Sequence, residues 1–202
     1  MSALQLVAVN AGLSEPSSTR MLVDRLADAA VAALSGREVQ VSVVDLRDVA
    51  ADLGASMAAG FPAGGARAAV TQVQEADALI VATPVFNASY SGLFKAFFDL
   101  VDVDEMSGKP VLIAATGGSP RHSMVLDHAL RPLFSYLRAV VVPTGVYAAS
   151  EDWAGGSGDT ATLTDRIDRA AGELAALLGA VPARAAAAPA AYPGASRAEA
   201  DG

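Results

Sequence analysis

Short apolar segments alternate along the chain with longer segments in which apolar residues recur every three or four positions. The short segments are residues 4–9, 38–46, 78–82, 110–115 and 139–142. The longer segments are residues 17–34, 64–76, 93–101, 122–137 and 160–178. Short apolar runs bounded by turn residues predict strands, and the longer spacing predicts helices. The chain is therefore expected to alternate strands with helices over most of its length.

Two of the predicted strands are apolar at nearly every position, ALIVA at residues 78–82 and PVLIAA at residues 110–115. A strand with one face in water alternates apolar and polar residues, so continuous apolarity indicates burial on both faces. Helices that cover both faces of such strands form a three-layer sandwich. We therefore predict an α/β fold with a parallel sheet of about five strands.

The chain of 202 residues is long enough for one substantial core, and we assign residues 1–180 to a single domain. Residues 181–202 read VPARAAAAPAAYPGASRAEADG and contain almost no large apolar side chain. A segment of that composition cannot bury enough apolar surface to offset the entropy lost on ordering. We predict a disordered tail there, without a catalytic role.

The charge and the scarcity of metal ligands exclude several classes of function. The 22 acidic and 14 basic residues give a net charge of −8. This charge disfavours nucleic acid and anionic membranes as partners, because clustered Lys and Arg bind both. There is no cysteine and there are only two histidines, so we predict neither a metal site nor a cysteine nucleophile. Without a basic leader or a run of roughly 18 apolar residues, a cytoplasmic location is expected.

Three hydroxyl side chains mark the start of the first predicted helix. Ser17, Ser18 and Thr19 follow a loop that opens with Asn10 and Gly12. Free N–H groups and the positive end of the helix dipole make this position suitable for an anion. One hydroxyl would suffice to cap the helix, whereas three favour a phosphate group. Neither G-x-x-x-x-G-K-S/T nor G-x-G-x-x-G is present, so a phosphate monoester fits better than a triphosphate or a dinucleotide.

Two further loops follow the third and fourth predicted strands, at residues 84–92 and at residues 116–122 (TGGSPRH). Gly117 and Gly118 would let the backbone approach a flat ligand closely, although a glycine pair by itself also fits a simple turn. The carboxyl ends of parallel strands meet at one edge of a sheet, where α/β proteins bind ligands. Together the three loops predict a pocket for a phosphorylated, planar heterocycle.

These loops resemble those of the NAD(P)H-dependent FMN reductase family, which has the flavodoxin-like fold, over roughly residues 4–153. Residues 17–19 (SST) are similar to the family's S-x-T phosphate motif. Residues 84–95 (PVFNASYSGLFK) resemble its flavin-ring loop, and residues 115–118 (ATGG) resemble its third flavin loop. The similarity is greatest to the reductase components of two-component systems that serve alkanesulfonate and luciferase-like monooxygenases.

The resemblance implies NADPH- or NADH-dependent reduction of FMN, by hydride transfer from nicotinamide C4 to flavin N5. The reduced FMN would supply a partner flavin-dependent monooxygenase. No catalytic acid or base is implied, because the reactivity belongs to the cofactors. The residues that the resemblance assigns to FMN are Ser17, Ser18, Thr19, Pro84, Val85, Phe86, Asn87, Tyr90, Thr116, Gly117 and Gly118.

Three positions carry further implications. Tyr90 is similar to a tyrosine that some members of the family have inserted at the start of the fourth helix, where it accompanies the use of FMN as a transferable substrate. The resemblance makes Tyr90 a candidate for flavin transfer and stacking. Arg121 and His122 are candidates for the phosphates of NAD(P)H, and a solvated helix start accounts for them equally well. The chain has Glu15 and Pro16 where the family has an arginine, which implies a weaker hold on the phosphate.

Two other redox functions share this fold. One is a flavodoxin-type electron carrier, and the other is a quinone, azo-dye or metal-ion reductase that retains FMN. The loop TGGSPRH lacks the aromatic residue with which flavodoxins shield the flavin ring, so one ring face would stay open to nicotinamide. By resemblance alone, Tyr90 disfavours the retained cofactor. A serine hydrolase has no support, because there is no G-x-S-x-G.

The helix predicted at residues 93–101 is apolar on more sides than packing against one sheet requires. The apolar residues are Leu93, Phe94, Phe97, Phe98, Leu100 and Val101. A helix buried inside the chain and a helix at a subunit interface both produce this pattern. The family resemblance favours the interface, and we predict a homodimer or homotetramer.

Overall fold

The computed structural model describes residues 3–153 and 161–180, so the predicted tail at residues 181–202 lies outside the described residues. The strands are β1 (Leu4–Asn10), β2 (Val39–Asp45), β3 (Ala78–Phe86), β4 (Ser89–Tyr90), β5 (Pro110–Gly117), β6 (Val140–Val141) and β7 (Val146–Ala149). The α-helices are α1 (Ser18–Ala33), α2 (Ala50–Ala59), α3 (Gly64–Glu75), α4 (Gly92–Phe98), α5 (Val103–Met106), α6 (Arg131–Tyr136) and α7 (Ala161–Ala180). Short 3₁₀ turns lie at Leu46–Val49, Pro120–Met124 and Ser150–Trp153, and a π-helical turn lies at Leu126–Leu130.

The strands form one sheet in the order β2, β1, β3, β5, and both β6 and β7 pair with β5 on its far side. All of these pairs are parallel. Since β6 and β7 together occupy the fifth position, the order is the 2-1-3-4-5 order of flavodoxin-like proteins. The predicted flavodoxin-like α/β sandwich is confirmed.

The sheet has seven strands in the described residues, rather than the five predicted. The predicted fifth strand is divided into β6 and β7 at Pro143, which has no N–H to donate to β5. The next residue also leaves the sheet, because the Thr144 N–H donates to the Glu173 carboxylate over 2.7 Å. The other strand that was not predicted is β4, which pairs antiparallel with the end of β3 as a short hairpin. The five parallel positions are unchanged.

Alternate side chains of the central strands enter two separate cores. In β1, Val7 and Val9 join the core that contains side chains of α2 to α6. Leu6 and Ala8 point to the opposite face and join the core formed with α1 and α7. Both faces of the sheet are therefore covered, which is the physical reason for the continuous apolar strands in the sequence.

Several helical regions differ from the prediction: α4 ends at Phe98 rather than at residue 101, and α5 was not predicted. Residues 50–59 form α2, which the sequence pattern did not predict. The helix buries only Leu53 and Ser56, so it leaves no clear apolar periodicity in the sequence. The helix predicted at residues 122–137 is divided into a 3₁₀ turn, a π-helical turn and α6. Pro132 lies at the start of α6 and cannot donate to the carbonyl four residues earlier, which interrupts the helical ladder. Within the described ranges, no helix combines the length and apolarity of a membrane span.

The broad apolar surface of α4 is used largely inside the chain. Phe94, Phe97 and Phe98 are at most 2% exposed. Their rings pack against one another, and two of them contact Phe134 of α6. The breadth of the apolar surface therefore does not by itself require a second subunit, and the homo-oligomer stays a prediction.

We expect Ala88→Gly to stabilise the protein. Asn87 and Ala88 join β3 to β4, and both have positive φ, at 49° and 66°, as in a type I′ hairpin turn. A Cβ in this region costs about 1–2 kcal/mol, and the greater chain entropy of glycine offsets about 0.5–1 kcal/mol of the gain. The free energy of unfolding measured in urea should rise by about 0.5–1 kcal/mol.

Ala55→Gly is the matched control, because Ala55 is exposed in the middle of α2. Glycine should lower the free energy of unfolding there by about 0.5–1 kcal/mol. If the two variants were destabilised equally, strain at Ala88 would be disproved.

Candidate functional site

A cleft of about 550 Å³ opens at the carboxyl ends of the central strands. Its volume lies within the range of roughly 300–1,000 Å³ that is usual for small-molecule sites. All three predicted loops contribute to it, and so does a fourth segment that follows β7. The lining residues are Ser14, Pro16, Ser18, Met21, Pro84, Val85, Phe86, Thr116, Gly117, Gly118, Ser150 and Trp153.

The three hydroxyls at the start of α1 occupy three different environments. Ser17 caps the helix, since its Oγ accepts a hydrogen bond from the Arg20 N–H over 3.2 Å. Thr19 is buried and its hydroxyl is hydrogen-bonded to the Thr116 hydroxyl over 2.8 Å. Ser18 is exposed and lines the cleft. In this arrangement Ser18 is the member of the three that faces the cleft.

Arg20 follows these hydroxyls directly, but its guanidinium is bound to other groups. It donates to Asp24 over 2.8 Å and to Asp45 over 2.6 Å. The hydrogen bond to Asp24, assisted by the charge of Asp45, raises the pKa of Arg20 above its ordinary value. Asp45 also accepts a hydrogen bond from the Asn10 amide, which fixes the end of β1. Within the described part of the chain, no residue that lines the cleft is basic.

The second loop divides into a part inside the cleft and a part outside it. Pro84, Val85 and Phe86 at the end of β3 line the cleft. Asn87 is exposed at the hairpin turn and does not line the cleft. Tyr90 is also outside the lining, because it pairs with Val85 across the hairpin and its ring packs against Phe94 at a centroid distance of 5.8 Å. The predicted roles of Asn87 and Tyr90 toward a cofactor stay predictions.

The third loop brings Thr116, Gly117 and Gly118 to the cleft, as the sequence predicted for a pocket-forming loop. Arg121 and His122 are exposed in the 3₁₀ turn that follows and do not line the cleft. The His122 ring lies next to the loop, 3.4 Å from the place where a Cβ on Gly117 would stand. The two residues therefore lie beside the loop, outside the cleft, and their predicted contact with NAD(P)H stays a prediction.

The fourth segment was not predicted to contribute to the cleft. Trp153 ends the 3₁₀ turn after β7, lines the cleft and packs against the core formed with α1 and α7. The Asp152 carboxylate accepts from the Ala149 N–H over 2.7 Å. Arg166 of α7 donates to Asp152 over 3.3 Å and to the Tyr147 carbonyl over 2.7 Å. Trp153 is thus a fixed wall of the cleft.

The cleft offers little acid–base chemistry of its own. Its described lining contains hydroxyls, backbone groups and apolar side chains, without a carboxylate, lysine or histidine. No cluster of His, Cys, Asp or Glu suited to a metal ion occurs among the described residues. Such a cleft can bind and orient a neutral or singly phosphorylated ring system, whose own reactivity must then supply any chemistry.

Several known proteins that are similar to this chain in sequence and in structure are reductases or oxidoreductases. The sequence profile of NADPH-dependent FMN reductases matches residues 4–154. A NADH-dependent FMN reductase, SfnF, of Pseudomonas fluorescens is 42% identical over 87% of this chain and 92% of its own length. A FMN reductase (NADPH) of Pseudomonas aeruginosa is 41% identical over 88% and 94% of the two chains. The crystal structure of an oxidoreductase from Corynebacterium diphtheriae is 48% identical, with a TM-score of 0.84 over 90% of this chain and all of the other.

We expect Arg166→Met to loosen the Trp153 wall. Without the guanidinium, Asp152 and the Tyr147 carbonyl lose the donor that joins them to α7. Trp153 is the only tryptophan, so protein fluorescence excited at its absorption edge reports on this wall alone. The emission should move to longer wavelength, and acrylamide should quench it more strongly.

Arg169→Met is the matched control, because Arg169 is exposed on the same helix. Its emission should equal that of the wild type. Identical spectra for both variants would show that Arg166 does not hold the wall.

Proposed function

Because this chain belongs to the NADPH-dependent FMN reductase family, we propose that its cleft binds FMN as an exchangeable substrate. The chain is an NAD(P)H-dependent FMN oxidoreductase. The single observation that supports the proposal is the meeting of three family-like loops around one uncharged cleft. We propose further that reduced FMN leaves the cleft to supply a flavin-dependent monooxygenase.

The residues of the cleft fit FMN in size and in chemistry. We assign the phosphate to the start of α1, where Ser18 is exposed and faces the cleft. Gly12 makes room there, because a Cβ on it would overlap the Ser17 hydroxyl. We assign the ring to the walls formed by Pro84–Phe86 and by Gly117 and Gly118, whose backbone can approach a flat ligand.

FMN supplies the hydride-acceptor chemistry at N5 when it is bound, with reduced nicotinamide as the hydride donor. The protein's part is to hold both rings in position and to keep water from the reacting faces. Phe86 and Trp153 provide apolar walls for this purpose. Gly118 lines the cleft, and we propose that its N–H donates to a ligand oxygen, which would favour negative charge on the reduced ring.

The charge of the phosphate site supports exchange of FMN rather than permanent retention. Arg20 is held by Asp24 and Asp45, and the loop before it has Glu15 where the family has an arginine. Hydroxyl and N–H donors are then left to bind the phosphate. Hydrogen bonds between a neutral donor and a phosphate lack the added attraction of a cation. A ligand bound in this way dissociates more readily, which a transferable substrate requires.

The recipient and the location follow from the same proposal. The resemblance of residues 17–19, 84–95 and 115–118 to two-component reductases supports a flavin-dependent monooxygenase as recipient. The reaction consumes reduced nicotinamide nucleotide, so we place it in the cytoplasm. The two Pseudomonas relatives are named for different nucleotides, NADH in one and NADPH in the other, so either nucleotide is a candidate hydride donor.

Oxidation of NADPH and of NADH by the purified protein, with and without added FMN, tests the proposal. We expect a colourless protein whose turnover appears with added FMN and saturates in it. A yellow protein that reduces quinones or azo dyes without added flavin would instead be a reductase that retains FMN. A protein that binds FMN without oxidising either nucleotide would be an electron carrier.

Ser18→Ala should weaken FMN binding without changing stability, because Ser18 faces the cleft. Loss of one hydroxyl donor to a charged phosphate, a bond of about 1.5–3 kcal/mol, corresponds to an increase of roughly 12- to 160-fold in the Kd of FMN. Riboflavin, which lacks the phosphate, should bind the variant and the wild type equally. Titration of flavin fluorescence measures all four constants.

Ser17→Ala is the control for the helix cap. Loss of the Ser17 hydroxyl should lower the free energy of unfolding by about 1 kcal/mol, because the Arg20 N–H loses its hydrogen-bond acceptor. If Ser18→Ala weakened riboflavin as much as FMN, Ser18 would not be a phosphate ligand.

We propose a homodimer or homotetramer that uses residues 93–101, which comprise most of α4 and the turn after it. The outer apolar side chains left for such a contact are Leu93 and Leu100, which are half-buried in the single chain. Light scattering should give the mass of a dimer or tetramer, and Leu93→Glu with Leu100→Glu should lower it. A monomeric wild type would end this part of the proposal.

A further inference from the structure

Tyr147 contacts the third loop but is not among the residues that line the cleft. It belongs to β7 and is 3% exposed. Its hydroxyl donates a hydrogen bond to the Ser119 carbonyl over 2.8 Å. Ser119 follows Gly117 and Gly118, which line the cleft, whereas Tyr147 does not line it. The side chain therefore contacts the loop without lining the cleft.

The loop is thereby held at both ends. At its start, the Thr116 hydroxyl is bonded to Thr19 of α1 over 2.8 Å. At its end, the Ser119 carbonyl is bonded to Tyr147 of β7. Between these two bonds only the glycine pair remains, and both glycines reach the cleft. The two bonds fix the height of the glycine backbone relative to the cleft.

Glycine is needed at position 117 because a larger residue has no room there, and not because the backbone conformation requires it. It is not among the described glycines with positive φ, so its φ would suit any residue. A Cβ on Gly117 would overlap the Tyr147 hydroxyl oxygen, whereas the next neighbours, Tyr147 Cζ and His122 Nδ1, would lie at 3.4 Å. The hydroxyl alone therefore excludes a side chain at position 117.

The hydroxyl stays a donor over the working range of pH. Burial raises the pKa of Tyr147 above its ordinary value, and the charge of Asp152 acts in the same direction. A tyrosine whose pKa is raised remains protonated at neutral and mildly alkaline pH. The bond to Ser119 is therefore present under the conditions in which a reductase is assayed.

We propose that Tyr147 is a positioning residue for FMN, which holds the Gly117–Gly118 backbone at the height that the flavin ring requires. The proposal rests on the proposed function of the cleft. Tyr147 acts through the loop and touches no ligand itself. Its hydroxyl both supports the loop, through Ser119, and requires glycine at position 117.

The test uses Gly117→Ala, Tyr147→Phe and the double variant, each compared with the wild type. Gly117→Ala pushes the loop away from Tyr147, and we expect the Kd and the KM of FMN to rise at least tenfold. Tyr147→Phe removes one neutral hydrogen bond that orders the loop before FMN binds, and the energy of that bond sets the upper limit of the effect, so we expect a rise of at least twofold and at most about 12-fold. The double variant should return to the level of Tyr147→Phe, because the oxygen that clashes with the methyl group is absent.

The two readouts separate positioning from folding. The Kd of FMN is measured by flavin fluorescence well below the unfolding temperature, so it reports on folded protein. We expect KM to change while kcat stays within about threefold of the wild-type value. A displaced loop weakens ligand binding in the ground state and in the transition state alike. If Gly117→Ala does not fold, Tyr147→Phe and the double variant still carry the test.

Two controls make the rescue specific. Gly118→Ala also adds a methyl group at the cleft, but nothing lies within 4 Å of its Cβ position. Tyr147→Phe should therefore rescue Gly117→Ala and leave the effect of Gly118→Ala unchanged. Tyr136→Phe removes the hydroxyl of a tyrosine that is 77% exposed and should equal the wild type.

The outcomes distinguish the two proposals. A wild type that does not reduce FMN overturns the proposed function. A wild type that reduces FMN, together with a double variant no better than Gly117→Ala, overturns the role of Tyr147 alone. A Tyr147→Phe variant with lower thermal stability and unchanged Kd and KM does the same, because the tyrosine would then be purely structural.

Discussion

The parallel pairing of β1, β3, β5 and β7 is the constraint on which every part of the cleft depends. Parallel neighbours can be joined only by crossover segments, so the loops that follow them leave from one edge of the sheet. The register brings Thr116 opposite Pro84 on one side and Ala148 on the other. Both faces are buried, so a slip by one residue would turn the apolar side chains of each strand to the wrong core. The pairing that builds the core therefore also fixes the cleft.

At that edge the loops are bound to neighbouring elements of the chain. Thr19 binds Thr116, and Tyr147 binds the Ser119 carbonyl of the third loop. Arg166 joins β7 to the turn that carries Trp153. Each contact orders a loop before any ligand arrives, which lowers the entropy that binding must remove. A site that is held in this way can bind flavin reproducibly without strong charges of its own.

The absence of charge among the described cleft residues has a functional consequence in a chain with a net charge of −8. The overall field repels anions, and the nearest arginine after the first loop, Arg20, is bound to two aspartates. Under the proposed function, FMN would be held by shape, by hydroxyl and N–H donors, and by apolar walls. Binding of this kind would orient the ring and hold the phosphate less strongly than a cation would, which suits a flavin that is reduced and released.

The sequence by itself determined the fold class, the order of the five parallel strand positions and the edge of the sheet at which the cleft lies. The pattern of apolar residues is a local property of the sequence. Residues 78–82 and 110–115 are apolar throughout because both faces of those strands are buried. The sequence could not distinguish Ser18 from Thr19 or find Trp153. Their positions depend on partners far along the chain, such as Thr116, which lies 97 residues from the threonine it binds. Only the tertiary structure brings such residues together, because no local pattern records which distant side chain a hydroxyl or an aromatic ring will meet.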